Sequence, residues 1–294
     1  MPFINRKKIL VLFGFLAAAD IIAWSLVFNL SGPAYLKVVF FDVGQGDSIF
    51  IETPQKHQIL IDGGPGSDVL AKLAKEMPFY DRTLDLIILT HPEKDHIAGL
   101  LEVVKKYKID HILWTGAVKD TAEWKEWTRL LQGERADIRL ARRGQKIILQ
   151  QEPGIFLNIL SPEEDLSGKE IKNINDTSVV CRMSFSDSSF LFTGDITSKT
   201  ESELVKDGVV LRSKVLKVCH HGSKTSSSED FLKAVSPDVA IIQVGRNNYG
   251  HPDPEVLARF ENFGIDVLRN DKNGDIKIIS DGNGFKIFPQ IKDN

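Results

Sequence analysis

The chain has 294 residues, 42% of them hydrophobic and 26% charged, with a formal net charge of −3. That composition excludes a disordered, collagen-like or disulfide-built protein. Two cysteines, Cys181 and Cys219, are too few for a disulfide framework or a four-thiolate zinc site, and the net negative charge offers nucleic acid no global basic field, so any polyanion must be held by local cations or bound metal.

Arg6, Lys7 and Lys8 precede 22 residues, 9–30, whose only polar members are Asp20, Ser25 and Asn29. As a helix that stretch measures about 33 Å, close to a hydrocarbon core, and Ser31-Gly32-Pro33 ends it. Cations on the N-terminal side alone place the N-terminus in the cytoplasm and the chain beyond Pro33 outside it. Ala17-Ala18-Ala19 supports a rival, a cleaved signal peptide, but the apolar residues continue past it and favour an uncleaved anchor. A buried core helix is the third option, with Asp20 as its support. Residues 1–33 are therefore read as an N-terminal transmembrane anchor or signal segment, and 34–290 as one domain.

Beyond residue 37, β-branched and aromatic runs alternate with helix-periodic ones, and no repeat is present. Strands are predicted over 37–42, 48–52 and 58–61, with glycine-rich turns at 44–46 and 63–66, then a helix over 68–76. Residues 84–89 are apolar apart from Asp85, and are read as a strand buried on both faces. Ile97, Leu100, Leu101, Val104 and Tyr107 fall at helical spacing, which leaves the polar residues 91–96 in a loop between strand and helix, where α/β folds keep chemistry. A helix near 121–131 carries Trp124 and Trp127, three apart, a spacing that suits packing better than base stacking. Strands follow over 155–160, 179–185, 189–192, 215–218, 239–244, 266–269 and 276–279, with helices near 198–206, 230–234 and 254–263. Two packed sheets with helices outside accommodate this count.

Thr90-His91-Pro92-Glu93-Lys94-Asp95-His96 is the densest chemistry: two histidines and two carboxylates within six positions are able to ligate a divalent ion. Satisfied singly by water, the same side chains would make an ordinary polar loop. Asp195 in Phe192-Thr193-Gly194-Asp195, His220 and His221 after 215–219, and His251 after Tyr249-Gly250 follow strands in the same way. His57 and His111 do not, and are read as solvent-facing or core residues. Arg129, Arg135, Arg139, Arg142, Arg143 and Lys146 stand against Glu134 and Asp137, a net +4 stretch on which a phosphate backbone could lie, although such runs are more often solvated faces.

These residues resemble the metallo-β-lactamase fold and, within it, the nuclease-like domain at the C-terminus of ComEC competence (DNA-uptake) proteins. The resemblance spans about 35–288. It rests, in order, on Phe41-Asp42-Val43-Gly44-Gln45-Gly46-Asp47-Ser48, Ile61-Asp62-Gly63-Gly64, the 91–96 loop and Asn175-Asp176-Thr177-Ser178. Phe192-Thr193-Gly194-Asp195, Cys219-His220-His221-Gly222-Ser223, Tyr249-Gly250-His251-Pro252 and Asn273-Gly274 continue it. It implies an α/β fold, the metallo-β-lactamase αββα sandwich with a binuclear site on one edge, here behind one N-terminal transmembrane helix. His91 and Glu93 would hold one ion, Asp95 and His96 the other, with Asp195 bridging and His220 completing the second site. Asp95 would also orient the attacking water. His221 and His251 would serve as ligands, phosphate contacts or proton donors. Asp62 would orient a ligand, and Asn175-Asp176 stand where the family's third motif contributes another. Glu93 in place of the family's usual histidine makes the site more oxygen-rich and moves the expected pair of divalent ions from zinc toward manganese. Ser223 and Lys224, in the serine-rich stretch 223–228, resemble a phosphate-contacting loop. The implied activity is that of a membrane-anchored, metal-dependent phosphodiesterase acting on single- or double-stranded DNA, with a DNA-uptake channel as partner. A cell-wall phosphorylcholine esterase and a non-catalytic metal-binding surface module remain open as alternatives.

Overall fold

The computed structural model describes residues 6–31, 35–152 and 154–290, the side chains of 9 and 25–31 excepted. Helix α1 (Arg6–Ser31) belongs to one unit, Met1–Ala34, and everything else to a second, Tyr35–Asn294. Among the described residues no helix is long and apolar enough to cross a membrane. The expected span of 9–30 falls partly on side chains outside the described set, and its terminating Gly32 and Pro33 lie outside the described residues altogether.

The second unit runs β1 (Leu36–Phe40), β2 (Ile49–Glu52), β3 (Gln58–Ile61), α2 (Asp68–Glu76), β4 (Thr83–Ile88), α3 (Lys94–Val104), β5 (Lys108–Trp114), α4 (Ala122–Gly133) and β6 (Asp137–Leu140). Next come β7 (Lys146–Gln150), β8 (Ile155–Ser161), β9 (Val180–Phe185), β10 (Ser188–Phe192), α5 (Ser198–Lys206), β11 (Val215–Lys217), α6 (Glu229–Val235) and β12 (Val239–Ile242). The chain closes with α7 (Pro254–Asn262), β13 (Asp266–Arg269), α8 (Asn270–Asn273), β14 (Ile276–Ser280) and β15 (Phe285–Pro289).

Two sheets result, one of eight strands in the order β15-β14-β1-β2-β3-β4-β5-β6 and one of seven in the order β13-β12-β11-β10-β9-β8-β7. Period-two alternation turns Val38, Phe40, Ile49 and Ile61 of the first sheet onto Phe190, Phe192, Val215 and Ile241 of the second, and this layer is the central core. The opposite face of the first sheet is covered by Val69 and Leu73 of α2, Ile97 and Leu100 of α3 and Trp127 of α4. Leu204, Phe231 and Phe260, from α5, α6 and α7, cover the second. This is the αββα sandwich expected.

Strands β5, β6, β7 and β15 were not among the predicted elements. Strand β6 is an edge strand with charged Asp137 and Arg139 facing solvent, so it lacks the apolar alternation that marks half-buried strands. Polar residues interrupt β5 and β7 in the same way. Helix α3 begins earlier than its apolar spacing suggested, with Glu93 as its N-cap, so Asp95 and His96 stand in its first turn rather than in the loop. The cationic stretch has a structural explanation: Arg129 pairs with Glu126, Arg139 with Asp137 and Arg143 with Asp207, and Lys146 lies over the Phe156 ring. Trp127 is buried and Trp124 Nε1 donates to the Ala117 carbonyl at 3.0 Å, so both pack.

Candidate metal centre

Strands β3, β4, β10, β11 and β12 run parallel to a neighbour, and the turns beyond their carboxyl ends meet along one edge of the sandwich. Gln243, just past β12, ties the two sheets there, its Nε2 donating to the carbonyls of Phe41 (3.1 Å) and Ser48 (2.9 Å). The turn between β1 and β2 presses against α3, and at Gly46 (φ +140°) an added Cβ would sit 2.2 Å from the Asp95 carbonyl oxygen.

Asp195, after β10, is the centre of the cluster. His96 Nε2 and His221 Nε2 each lie 3.3 Å from its Oδ2, and His91 Nε2 and His220 Nε2 each 4.0 Å. Asp95 joins through His221 Nε2, 3.3 Å from its Oδ2, and His96 Nε2, 4.0 Å from its Oδ1. Asp47 lies behind, its Oδ1 3.4 Å from His221 Nδ1 and its Oδ2 on the Lys217 ammonium, which also reaches Asp195 Oδ1 at 3.5 Å. Four sets of donors, His91/His96/Asp195, Asp95/His96/His221, Asp47/Asp62/His96 and Asp47/Asp195/His221, hold their ligand atoms within 4.8 Å of one another.

The imidazoles are aimed. His96 Nδ1 faces Asp62 Oδ2 at 2.8 Å, and Asp62 is held in turn by the amide and hydroxyl of Thr90 at 2.8 and 2.7 Å. His221 Nδ1 donates to the Gln243 carbonyl at 2.8 Å, and His91 Nδ1 faces Thr90 Oγ1 at 3.0 Å. Each outer nitrogen is thereby engaged, leaving the Nε2 atoms of His91, His96 and His221 pointing inward, buried and without a hydrogen-bond partner. Buried polar atoms rarely stay unpaired. Three such nitrogens converging on carboxylates, each steered by a partner on its other nitrogen, fit divalent cations.

Charge points the same way. Three buried carboxylates, Asp47, Asp62 and Asp195, and half-buried Asp95 share the cluster with one buried ammonium, Lys217, which pairs with Asp47 and Asp195. Burial opposes charge on His96, but Asp195, Asp62 and Asp95 outweigh it and hold the imidazole well above its usual range; burial is likewise overcome at His221, by Asp195 and Asp47. Asp195 is held well below the carboxylate range, His221, His96 and Lys217 prevailing over burial. His91 is the exception: burial, then the charge of His96, push it down to about 3, so its imidazole stays neutral.

Local backbone is strained where the chemistry sits. Asp62 (φ +57°), His220 (φ +48°) and His221 (φ +53°) all occupy the left-handed region, a cost of about 1–3 kcal/mol each for side-chain-bearing residues that is characteristic of functional turns.

The expected residues divide. His91, Asp95, His96 and Asp195 meet, and Asp62 stands behind His96. His221 rather than His220 lies among the donors, because the left-handed pair turns His221 inward and leaves His220 in the cavity wall, its Nε2 3.2 Å from Asn175 Nδ2. Glu93 lines the same cavity, with its carboxylate on the Lys119 ammonium. Asp176 is turned away, its Oδ1 accepting from the Thr197 amide and the hydroxyls of Thr197 and Thr200. Ser223 and Lys224 do not line the cavity: Ser223 Oγ bonds Thr225 Oγ1 and Lys224 pairs with Glu255. The serine-rich loop spends its polar groups on its own backbone and on Glu201, which accepts the Ser227 and Ser228 amides. Asp47 and Lys217 received no role from the sequence. Lys217 had a signal, a lone cation in the apolar run Val215-Leu216-Lys217-Val218, since a lysine is almost never fully buried unless paired.

The cluster opens into a cavity of about 680 Å³ walled by His220, His251, Asn175, Lys94, Arg246 and Tyr249. His251 lies one ring beyond His220, with centroids 5.5 Å apart. An αββα sandwich with imidazole and carboxylate donors buried at the base of an edge cavity defines a metal-dependent hydrolase class. The chain belongs to the metallo-beta-lactamase superfamily, whose family model matches residues 41–246. It is 32% identical over 264 residues to ComE operon protein 3 of Bacillus subtilis, covering 82% of this chain and 32% of that protein. To competence protein ComA of Neisseria gonorrhoeae it is 34% identical over 242 residues, covering 81% and 31%. The chain thus spans about a third of the length of these relatives. Among solved structures it is similar to the metallo-beta-lactamase fold protein YhfI from Bacillus subtilis, with a TM-score of 0.56 at 14% identity over 83% of this chain and 99% of that one.

Proposed function

We propose that the chain is a metal-dependent phosphodiesterase acting on DNA, held at the membrane by residues 9–30 with its hydrolase unit on the extracytoplasmic side. One observation supports it above the rest: the buried donors open into a cavity whose wall carries two cations suited to a polyanion, Arg246 and Lys94, the latter also reaching Glu123. The resemblance to DNA-uptake proteins agrees with that chemistry, and the anchor rests on the sequence pattern of 9–30.

In this reading Asp95, His96, His221, Asp195 and His91 would hold the divalent ions, with Glu93 available if Lys119 releases it. Three imidazoles beside two carboxylates, with no thiolate, suit manganese or zinc. Bound divalent ions supply Lewis-acid polarisation of a phosphate oxygen and acidify a water molecule. The protein's own groups do the positioning. Asp62 and the Gln243 carbonyl fix the ring orientation of His96 and His221. Asp95, half-buried at the cavity floor, would orient the attacking water, and Lys217 offsets the carboxylates Asp47 and Asp195 from behind. His220 and His251, on the cavity side of the cluster, would contact the phosphate or the departing oxygen.

The experiment is manganese-dependent cleavage of single- and double-stranded DNA by the detergent-solubilised full chain, beside Asp95→Ala. Cleavage lost in the variant is the expected result. Absence of cleavage by the wild type at high enzyme concentration, with metal bound, would overturn the proposal.

A further inference from the structure

The cavity wall beyond His251 carries a feature the hydrolytic cluster does not use. Tyr249 is 75% exposed, yet it sits on a tightly organised loop. The Asn247 side chain makes four hydrogen bonds within that loop: Nδ2 donates to the carbonyls of Gly245 (2.9 Å) and His251 (2.8 Å), and Oδ1 accepts from the amides of Tyr249 and His251 (both 3.1 Å). At its start Gly245 is wedged against the turn between β1 and β2, where an added Cβ would lie 2.3 Å from the Gly44 carbonyl carbon. A large aromatic side chain is therefore held rigidly in water at the mouth of the cavity, which exposes apolar surface with no packing return.

Its inner face is already engaged. The Tyr249 ring lies nearly parallel to that of His251, at 27° with centroids 5.9 Å apart, and the row continues through His220 to Asp195. The outer face is open. Arg246, on the same loop and the same wall, has no ion-pair or hydrogen-bond partner among the described residues. An open aromatic face and an uncommitted guanidinium on one cavity wall, two ring steps of 5.9 and 5.5 Å from His220 at the edge of the donors, match a planar base joined to a phosphate.

Resting on the nuclease proposal, we infer that Tyr249 stacks an unpaired nucleobase next to the scissile phosphate while Arg246 holds a neighbouring phosphate, so that the substrate is single-stranded DNA. Bases inside a duplex have both faces covered by their neighbours. Only an unstacked one can lie on a side-chain ring.

The test uses the detergent-solubilised full chain with manganese and three oligonucleotides: a single strand, the same strand annealed to its complement, and the same strand with an abasic position beside the cleavage point. Tyr249→Ala raises KM on the single strand by about tenfold, with kcat changed far less, and Tyr249→Phe restores it. The abasic strand shows the same defect on the wild type and no further defect on Tyr249→Ala. Tyr80, equally exposed at 76% but remote from the cavity lining, serves as control, and Tyr80→Ala leaves KM unchanged. An unchanged KM in Tyr249→Ala, or duplex cleaved as well as single strand, would overturn the inference while leaving a nuclease. If the wild type cleaves no DNA, anisotropy with labelled single strand decides. Binding weakened in Tyr249→Ala keeps the platform and removes only the nuclease proposal, whereas equal binding removes both.

Discussion

Histidine–carboxylate pairs stand beside two cavities of this molecule, and they differ in what surrounds the pairs. At the carboxyl ends of the strands His96 Nδ1 lies 2.8 Å from Asp62 Oδ2, both side chains 0% exposed. In a smaller cavity of about 400 Å³ at the open edge of the sandwich, between β6 and β7, His57 Nδ1 lies 3.1 Å from Asp85 Oδ1 with the side chains 44% and 38% exposed, and His111 stands 3.5 Å from Asp137. The residue types and spacings are nearly the same. Water screens the second set, so each pair there is worth at most about 1 kcal/mol, whereas the first set must resolve its charges within the protein. Burial, more than the pair itself, separates a metal-type site from an ordinary surface contact.

The largest effect that sharpens this contrast comes from Asp195, which touches every inward imidazole. Asp195→Ala is expected to abolish tight metal binding, seen as loss of bound ions by elemental analysis, and to lower turnover about a thousandfold or more, since metal catalysis supplies several kcal/mol. Retention of two ions per chain in that variant would break the assignment. Next is Asp62→Asn, which removes the carboxylate behind His96 but no donor. Metal affinity should fall about 10- to 100-fold by calorimetry with the fold retained.

A smaller effect is read from pH. His91, neutral in the folded chain down to about 3, takes a proton near 6.5 when unfolded. Between those values the unfolded state binds more protons, so this residue's contribution to stability of the metal-free protein declines as pH falls from 6.5 toward 3. His96 and His221 are shifted upward and tilt the profile the other way, so the effect is read as the difference between wild type and His91→Asn in denaturant melts. That difference should shift by a few kcal/mol across the window, and a flat difference would show that His91 is not held neutral. Smallest of all is His57→Ala, expected to change stability by less than about 1 kcal/mol and leave activity untouched. A marked loss of turnover there would erase the distinction between the two cavities.

Legibility followed burial as well. Strand β3, helices α2 and α5 and strand β13 lie where the pattern of apolar residues and turns places them, because each is an ordinary half- or fully buried element. The edge strands β6 and β7 escaped, since exposure removes the hydrophobic period by which a strand is recognised. In the site, the 91–96 cluster and Asp195 were legible as dense polar residues following apolar strands. Lys217 and Asp47 were not, because their partner is each other and the two positions are 170 apart in sequence.

The order of side chains along the chain therefore determined the two-sheet class and the strand ends that carry imidazole and carboxylate. Only the folded arrangement decided between His220 and His221, through two consecutive left-handed residues that a local pattern does not encode. It also decided that Glu93 meets Lys119 and that Ser223 and Lys224 face away from the cavity. The reason is one of range. Periodicity is a property of neighbours and survives in the sequence, whereas the direction of a single side chain at a turn depends on what the rest of the molecule packs against it.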